Sequence, residues 1–232
     1  MNIFDILGPV MVGPSSSHTA GAVRIGLVTK KLLGSVPVKA EITLSGSFSA
    51  TGIGHGTDKA LVAGLLGMEP DNICIPESFE YAEREGMEVA FHHENIRGAH
   101  PNTALLNVWD KHGRTVEVQA SSLGGGRIMV NKLDGVQIDV TAERPVLIVH
   151  NLDQPGHVAE VTSMLAHKSI NIATLNLYRD KRGGYAVMVI ETDQNIPASS
   201  LQWLKRVEGI IKVTCINLGE EEEGTEHGLS FN

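Results

Sequence analysis

Apolar and polar positions follow two periods along this chain, and the switches between them mark its elements. TAGAVRIGLVTKKLLG, from Thr19 to Gly34, predicts a helix. VKAEITLS then alternates, with Val38, Ala40, Ile42 and Leu44 on one side, and predicts a half-buried strand. TDKALVAGLLG predicts a short helix, and MEVAFHH, TALLNVWD, TVEVQAS and RIMVNKL predict strands. KHGR reads as the hairpin turn between the second and third of these. The first 143 residues therefore predict an α+β unit built on a mostly antiparallel sheet.

The pattern changes at TAERP, Thr141 to Pro145. VLIVH is a short apolar strand, and PGHVAEVTSMLAHK predicts a helix with Pro155 in its first turn and Val158, Val161 and Leu165 on one face, Met164 beside them. IATLNLYRD alternates, with Ala173, Leu175 and Leu177 facing one way and Thr174, Asn176 and Tyr178 the other. KRGG turns into the strand YAVMVIETD, PASSLQWLKRV is a second helix opened by proline, and IIKVTCINL is a last strand. This β-α-β-β-α-β order predicts a ferredoxin-like domain over residues 144–219. The remaining GEEEEGTEHGLSFN, residues 220–232 in the main, is acidic, poor in apolar residues and expected to carry no fixed structure.

Composition narrows the function classes. With 232 residues, 42% hydrophobic, 20% charged and a net charge of −8, the chain is an ordinary globular one without the clustered basic face that nucleic acid requires. No window approaches the roughly 18 continuous apolar residues of a membrane span, and the N-terminus has no signal-peptide pattern. Two cysteines, Cys74 and Cys215, lie in no CxxC pair, which fits a reducing cytoplasm. They also fall short of the three or four thiolates, roughly, that hold an iron–sulfur cluster.

Four stretches carry candidate chemistry. GPSSSHTAG presents Ser15, Ser16, Ser17, His18 and Thr19 at a helix start. One serine suffices as a helix cap, whereas several hydroxyls beside unpaired N–H groups and an imidazole make a cradle for a carboxylate. SGSFSATGIGHGTDKA leaves a strand and enters a helix through four glycines, holding His55 between Gly54 and Gly56, with Thr57 and Asp58 following. A histidine presented this way suits proton transfer, and a surface histidine on a loose loop is the plainer reading. GAHPNT places His100 before a proline and Asn102 after it, and SSLGGGRI reads as a glycine-rich loop before a strand. His92 and His93 alternate on a strand and read as structural or surface groups. In the second domain Asn151, Asp153, Gly156 and His157 surround a helix start, and Asn171 begins the next strand. There a helix N-terminus could take an amino acid's carboxylate and Asp153 its ammonium, although Asp153 could equally serve the helix dipole.

Taken together, GPSSSHTAG, SGSFSATGIGHGTDKA, GAHPNT and SSLGGGRI resemble the beta chain of bacterial iron–sulfur-dependent L-serine dehydratase, and the segment with DQPGHVAEV and INIATLNLYR resembles an ACT domain. The resemblance covers nearly all of the chain but the acidic tail. It implies an allosteric substrate-binding fold for the first domain, also found in some phosphoglycerate dehydrogenases. It implies conversion of L-serine to pyruvate and ammonia with a [4Fe–4S] cluster carried by a partner alpha chain, in keeping with the cysteine count. On that footing the hydroxyls and His18 hold the serine carboxylate, the partner's iron assists the leaving hydroxyl, and His55, or else His100, removes the Cα proton. The resemblance also implies a homodimer paired through the ACT domain. Serine-sensing ACT domains carry His and Asn where this chain has Asn151 and Asp153, while Asn171 matches.

A rival reading is a non-catalytic regulatory module that senses an amino acid. GPSSSHTAG suits both, whereas GHGTD and GAHPNT favour the enzyme, because a sensor has no need of two framed histidines. A dehydrogenase fragment is disfavoured by the lack of a dinucleotide-binding fingerprint.

Overall fold

The computed structural model describes residues 10–217, Ile53 by its backbone alone. The expected acidic tail and the N-terminal segment lie outside the described residues. The chain divides into two compact units, Met1–Thr141 and Ala142–Asn232. No helix among the described residues is long and apolar enough to cross a membrane.

The first unit is α+β. Its elements run α1 (Gly21–Leu33), β1 (Lys39–Gly46), α2 (Ser47–Thr51), α3 (Thr57–Leu66), α4 (Ser78–Arg84), β2 (Glu88–His93), β3 (Asn102–Trp109), β4 (Thr115–Gly124), β5 (Arg127–Leu133) and β6 (Val136–Val140). The six strands form one sheet in the order β2-β1-β3-β4-β5-β6. Only β1 and β2 run parallel. The alternation seen in β1 continues across the sheet: Ala40, Ile42 and Leu44 pair with Val108, Leu106 and Ala104, and these with Val116, Val118 and Ala120. All nine are buried. Helix α1 packs on β3, β4 and β5, and α3 packs on α1. Each fully buried aliphatic side chain contributes about 1.5–3 kcal/mol, so this stripe holds the unit together.

Two glycines set how closely the helices approach. A Cβ on Gly26 of α1 would lie 2.4 Å from the Leu61 carbonyl oxygen, and one on Gly64 of α3 would lie 2.1 Å from that of Val23. The helices therefore touch backbone to backbone, and their N-terminal ends are held in register.

The second unit has the expected β-α-β-β-α-β order: β7 (Val146–Leu152), α5 (His157–His167), β8 (Ile172–Arg179), β9 (Tyr185–Thr192), α6 (Ala198–Leu204) and β10 (Ile210–Ile216). The strands order as β10-β7-β9-β8, all antiparallel. Leu147, Val149, Met188 and Ile190 of the sheet pack with Val161 and Leu165 of α5 and Leu204 of α6.

Several local expectations change. SSLGGGRI is no loop: Ser121 to Gly124 complete β4, and Gly125–Gly126, with φ of +61° and +76°, make a tight hairpin turn into β5. Pro155 stands outside α5, which is capped by Gly156 at φ +106°. The core stripe of α5 runs through Val161, Met164 and Leu165 and leaves Val158 on its margin, 39% exposed. Strand β8 is an edge strand with a register shift between Ile172 and Thr174, so its alternation breaks and Leu177 is exposed. His92 and His93 are both exposed on β2.

Candidate active site

The segment before α1 coils as one π-helical turn, Ser16–Ala20. Ser15 is its cap, and its Oγ accepts from the His18 amide at 3.0 Å. The amides of Thr19 and Ala20 bond back to the Ser15 carbonyl, and that of Gly21 to Ser16. One serine thus does the capping, and Ser16 and Ser17 remain, half-buried, at the open end of the turn. The start of such a turn offers main-chain amides and the positive end of the helix dipole, the features that suit an anion.

His18 reaches from this turn to α2. Its Nε2 lies 3.0 Å from Ser47 Oγ and 3.3 Å from Thr51 Oγ1. Its ring meets Phe48 edge-on at 5.4 Å. Helix α2 follows directly on β1, because Gly46 takes φ +60° and lets the chain pass over Pro101; a Cβ there would lie 2.4 Å from the Pro101 carbonyl oxygen. That carbonyl accepts from the Ser47 amide at 2.6 Å, which brings GAHPNT against the start of α2. The serine-rich hairpin closes another side. A Cβ on Gly21 would lie 2.1 Å from Ser122 Oγ, and one on Gly124 would lie 3.4 Å from Ser17 Oγ.

His55 sits at the end of a 3-10 turn, Ile53–His55, exposed, with its ring 5.0 Å from that of His18. Its Nδ1 is 3.0 Å from the Thr51 carbonyl oxygen. A carbonyl only accepts, so Nδ1 carries the proton and Nε2 presents its lone pair. His100 has the opposite arrangement. Its Nδ1 accepts from the Asn102 amide at 3.1 Å, so the proton is on Nε2 and the lone pair is already engaged. Of these two histidines, His100 has its acceptor nitrogen engaged by the main chain, whereas His55 engages the main chain through its N–H.

Burial pushes the pKa of His18 below the ordinary imidazole value, and the nearby His55 pushes it the same way, while hydrogen bonding at Ser47 opposes both. At neutral pH His18 is an uncharged imidazole that hydroxyls orient.

Thr19 and Thr57 are buried and turn their hydroxyls to the main chain rather than to the cleft: Thr19 Oγ1 donates to the His55 carbonyl at 3.2 Å and Thr57 Oγ1 to the His18 carbonyl at 2.9 Å. Gly56 caps α3 at φ +67°, and Asp58 stands in the first turn, where its charge suits the helix dipole. Asn102 begins β3 opposite Gly46. Sequence reasoning passed over Ser47, Thr51 and Ser122. A spacing of four on a helix puts the Ser47 and Thr51 hydroxyls on one face, which was the available signal.

In the second unit the candidate effector residues do not converge within one chain. Leu152 pairs with Tyr185 at one end of β9, whereas Ile172 pairs with Thr192 at the other. Asn171 therefore lies roughly 20 Å along the sheet from Asp153, at about 3.3 Å per residue. Asn171 donates from Nδ2 to Asp193 at 2.6 Å. Asp153 Oδ2 accepts from the Gly183 amide at 2.8 Å and from Arg179 at 3.2 Å; the amide, then the guanidinium, hold its pKa below the usual carboxylate value. That oxygen ties down the β8–β9 turn. Asn151 is buried and donates from Nδ2 to the Leu152 carbonyl. His157 is buried at the start of α5, 3.5 Å from Glu160.

Comparison with known proteins covers both units. The family described as serine dehydratase beta chain matches residues 2–84, and the ACT domain family matches residues 145–209. The probable L-serine dehydratase beta chain of Bacillus subtilis (strain 168) is 41% identical over 216 residues, 93% of this chain and 97% of that protein. The L-serine dehydratase beta chain of Peptoniphilus asaccharolyticus is 36% identical over 197 residues, 84% of this chain and 89% of that protein. The L-serine dehydratase TdcG of Escherichia coli (strain K12) is 27% identical over 205 residues, which are 78% of this chain and 43% of that longer protein.

Proposed function

This chain belongs to the family of bacterial L-serine dehydratase beta chains, and from that premise we propose that it is the beta subunit of a two-chain enzyme converting L-serine to pyruvate and ammonia. The observation that carries the reading is the pair His18–His55: His18 stands in the turn that holds Ser16 and Ser17, and His55, its ring 5.0 Å away, is held with its proton on Nδ1. The serine carboxylate binds at that turn, where hydroxyls, amides and the helix dipole favour an anion. His55 Nε2 takes the Cα proton. The electrons of the broken C–H bond form the Cα–Cβ double bond as the β-hydroxyl departs, giving aminoacrylate. Its imine tautomer hydrolyses to pyruvate and ammonia. The carboxylate contact also steadies the negative charge that builds toward the carboxylate as the proton leaves.

A [4Fe–4S] cluster does not fit the residues of this chain. Cys74 and Cys215 fall in separate compact units, and no group of three or more His, Cys, Asp or Glu suited to a metal occurs among the described residues. We therefore assign the cluster to an alpha chain; bound there, it would supply Lewis-acid assistance to the leaving hydroxyl. We assign the enzyme to the reducing cytoplasm, a reading that the two thiols, in no disulfide among the described residues, support. We assign homodimerisation to the ACT domain, whose sheet, among the described residues, ends in open edges at β8 and β10.

Anaerobic co-expression with a cysteine-bearing alpha chain, followed by a pyruvate assay, tests the reading. The complex is expected to release pyruvate from L-serine, and this chain purified alone to be colourless and inactive. Pyruvate formation by the cluster-free chain alone would sink the two-chain assignment.

A further inference from the structure

We propose that Thr19 and Thr57 are positioning residues that hold His18 and His55 at working distance through a reciprocal exchange of hydrogen bonds. The inference rests on the reading of the two histidines as the proton-transfer site, and it removes both threonines from the set that contacts substrate.

The geometry is a crossed brace. Thr19 follows His18 directly, yet its hydroxyl donates to the carbonyl of His55. Thr57 follows His55 by two residues, yet its hydroxyl donates to the carbonyl of His18. Both side chains are closed off from solvent, at 3% and 0% exposure, so neither hydroxyl has water as an alternative partner. The two bonds span 36 and 39 residues of sequence and tie the turn before α1 to the turn before α3. His55 itself stands between Gly54 and Gly56, where a Cβ would meet nothing within 4 Å. Behind it, the Thr57 and His55 amides both bond to the Gly52 carbonyl, at 2.9 and 3.0 Å. The turn is therefore compact within itself and is attached to its neighbour by the two hydroxyls.

The brace acts on the main chain at each histidine, so it sets where the rings start, while Ser47, Thr51 and the Thr51 carbonyl set how they turn. Slackening it shifts His55 relative to a substrate held at the Ser16–Ser17 turn. A misplacement of about 1 Å at a reacting group costs on the order of a hundredfold in rate.

Thr19→Val and Thr57→Val remove the hydroxyl and keep the volume. In the complex with the alpha chain, each is expected to lower kcat roughly tenfold to a hundredfold while KM changes less than about threefold. In the full chain alone, the NMR titration of the His18 ring is expected to move back toward its ordinary value as His55 draws away. Thr19→Ser and Thr57→Ser keep the hydroxyl and are expected to restore both readouts. The proposal is overturned if the valine variants keep kcat and the His18 titration, whatever their melting temperature, or if the serine variants fail to restore them. The titration needs no alpha chain. A wild-type complex that made no pyruvate would therefore sink the lyase reading, and the brace would still stand or fall on the titration.

Discussion

The imidazole rings of His18 and His55 stand 5.0 Å apart, tilted 36° to each other, and they are not equivalent. His18 is partly buried among hydroxyls and an aromatic ring, and burial together with His55 lowers its pKa from 6.5. A lowered histidine pKa favours the neutral form in the folded state. Above about pH 6.5 folded and unfolded chains are both neutral at this position and nothing is lost. As the pH falls below that value, the unfolded chain binds the proton first, and stability drops until folded His18 is itself protonated. Urea midpoints at pH 7.5 and 5.5 are expected to differ more in the wild type than in His18→Gln. Equal slopes in the two proteins would place the acid sensitivity elsewhere.

The base assignment follows from tautomers. His55→Ala is expected to lower kcat by roughly 10²–10⁴, the usual share of a general base, with the alpha chain's iron content unchanged. His100→Ala is expected to leave kcat within about threefold, since its acceptor nitrogen is committed to the Asn102 amide. Ser16→Ala is expected to raise KM in the same assay, because a carboxylate contact is present before and during proton transfer. Were His100→Ala the damaging change, the base would be His100. If both histidine variants stayed active, the base would lie on the alpha chain.

The helices on which this geometry rests were legible, and the joints were not. Alternation through Ala40, Ile42 and Leu44 marks β1, and the apolar runs of α1 and α3 mark those helices, because burial on one face leaves a period in the chain. Helix α2 is five residues of Ser, Phe, Ala and Thr between glycines, too short to show a period. Strand β6 did carry a signal, Asp134-Gly135 followed by alternating Val136, Ile138 and Val140, but it is brief and its pairing with β5 is irregular. GPSSSHTAG and GHGTD stand out by composition. Nothing local ties His18 to Ser47, which is 29 residues away, and that contact exists only once β1 and the α1–α3 packing are in place. Asp153 and Asn171 show the reverse case: near a helix start and a strand start in sequence, they are parted by an antiparallel register that a strand list cannot give.

Quaternary structure should follow from the ACT domain. Among the described residues, strands β8 and β10 each lack a neighbour on one side, and Leu177 on β8 and Ile211 on β10 are 43% and 57% exposed. An open edge with exposed aliphatic residues favours strand-to-strand pairing. Light scattering of the full chain is expected to give a dimer, and a monomer at tens of micromolar (about the range of weak association) would count against it.

The α1–α3 crossing makes the sharpest claim about stability. Gly64→Ala puts a Cβ 2.1 Å from the Val23 carbonyl oxygen, a main-chain atom that moves only if α1 moves. Separating the helices loosens a core that includes Val23, Leu61 and Leu65, and overpacking of this kind costs about 1–3 kcal/mol. Because α1 and α3 carry His18 and His55 at their leading ends, the same change should lower kcat although it is remote from the cleft. Gly54→Ala is the contrasting case. Its Cβ meets nothing within 4 Å and its φ is not in the left-handed region. It is expected to leave stability unchanged or raise it by about 0.4–1 kcal/mol, through the lower entropy of the unfolded chain. Urea unfolding of the two variants side by side decides the matter. If Gly64→Ala were as stable as Gly54→Ala, the helices would not depend on glycine contact to hold the histidines in register.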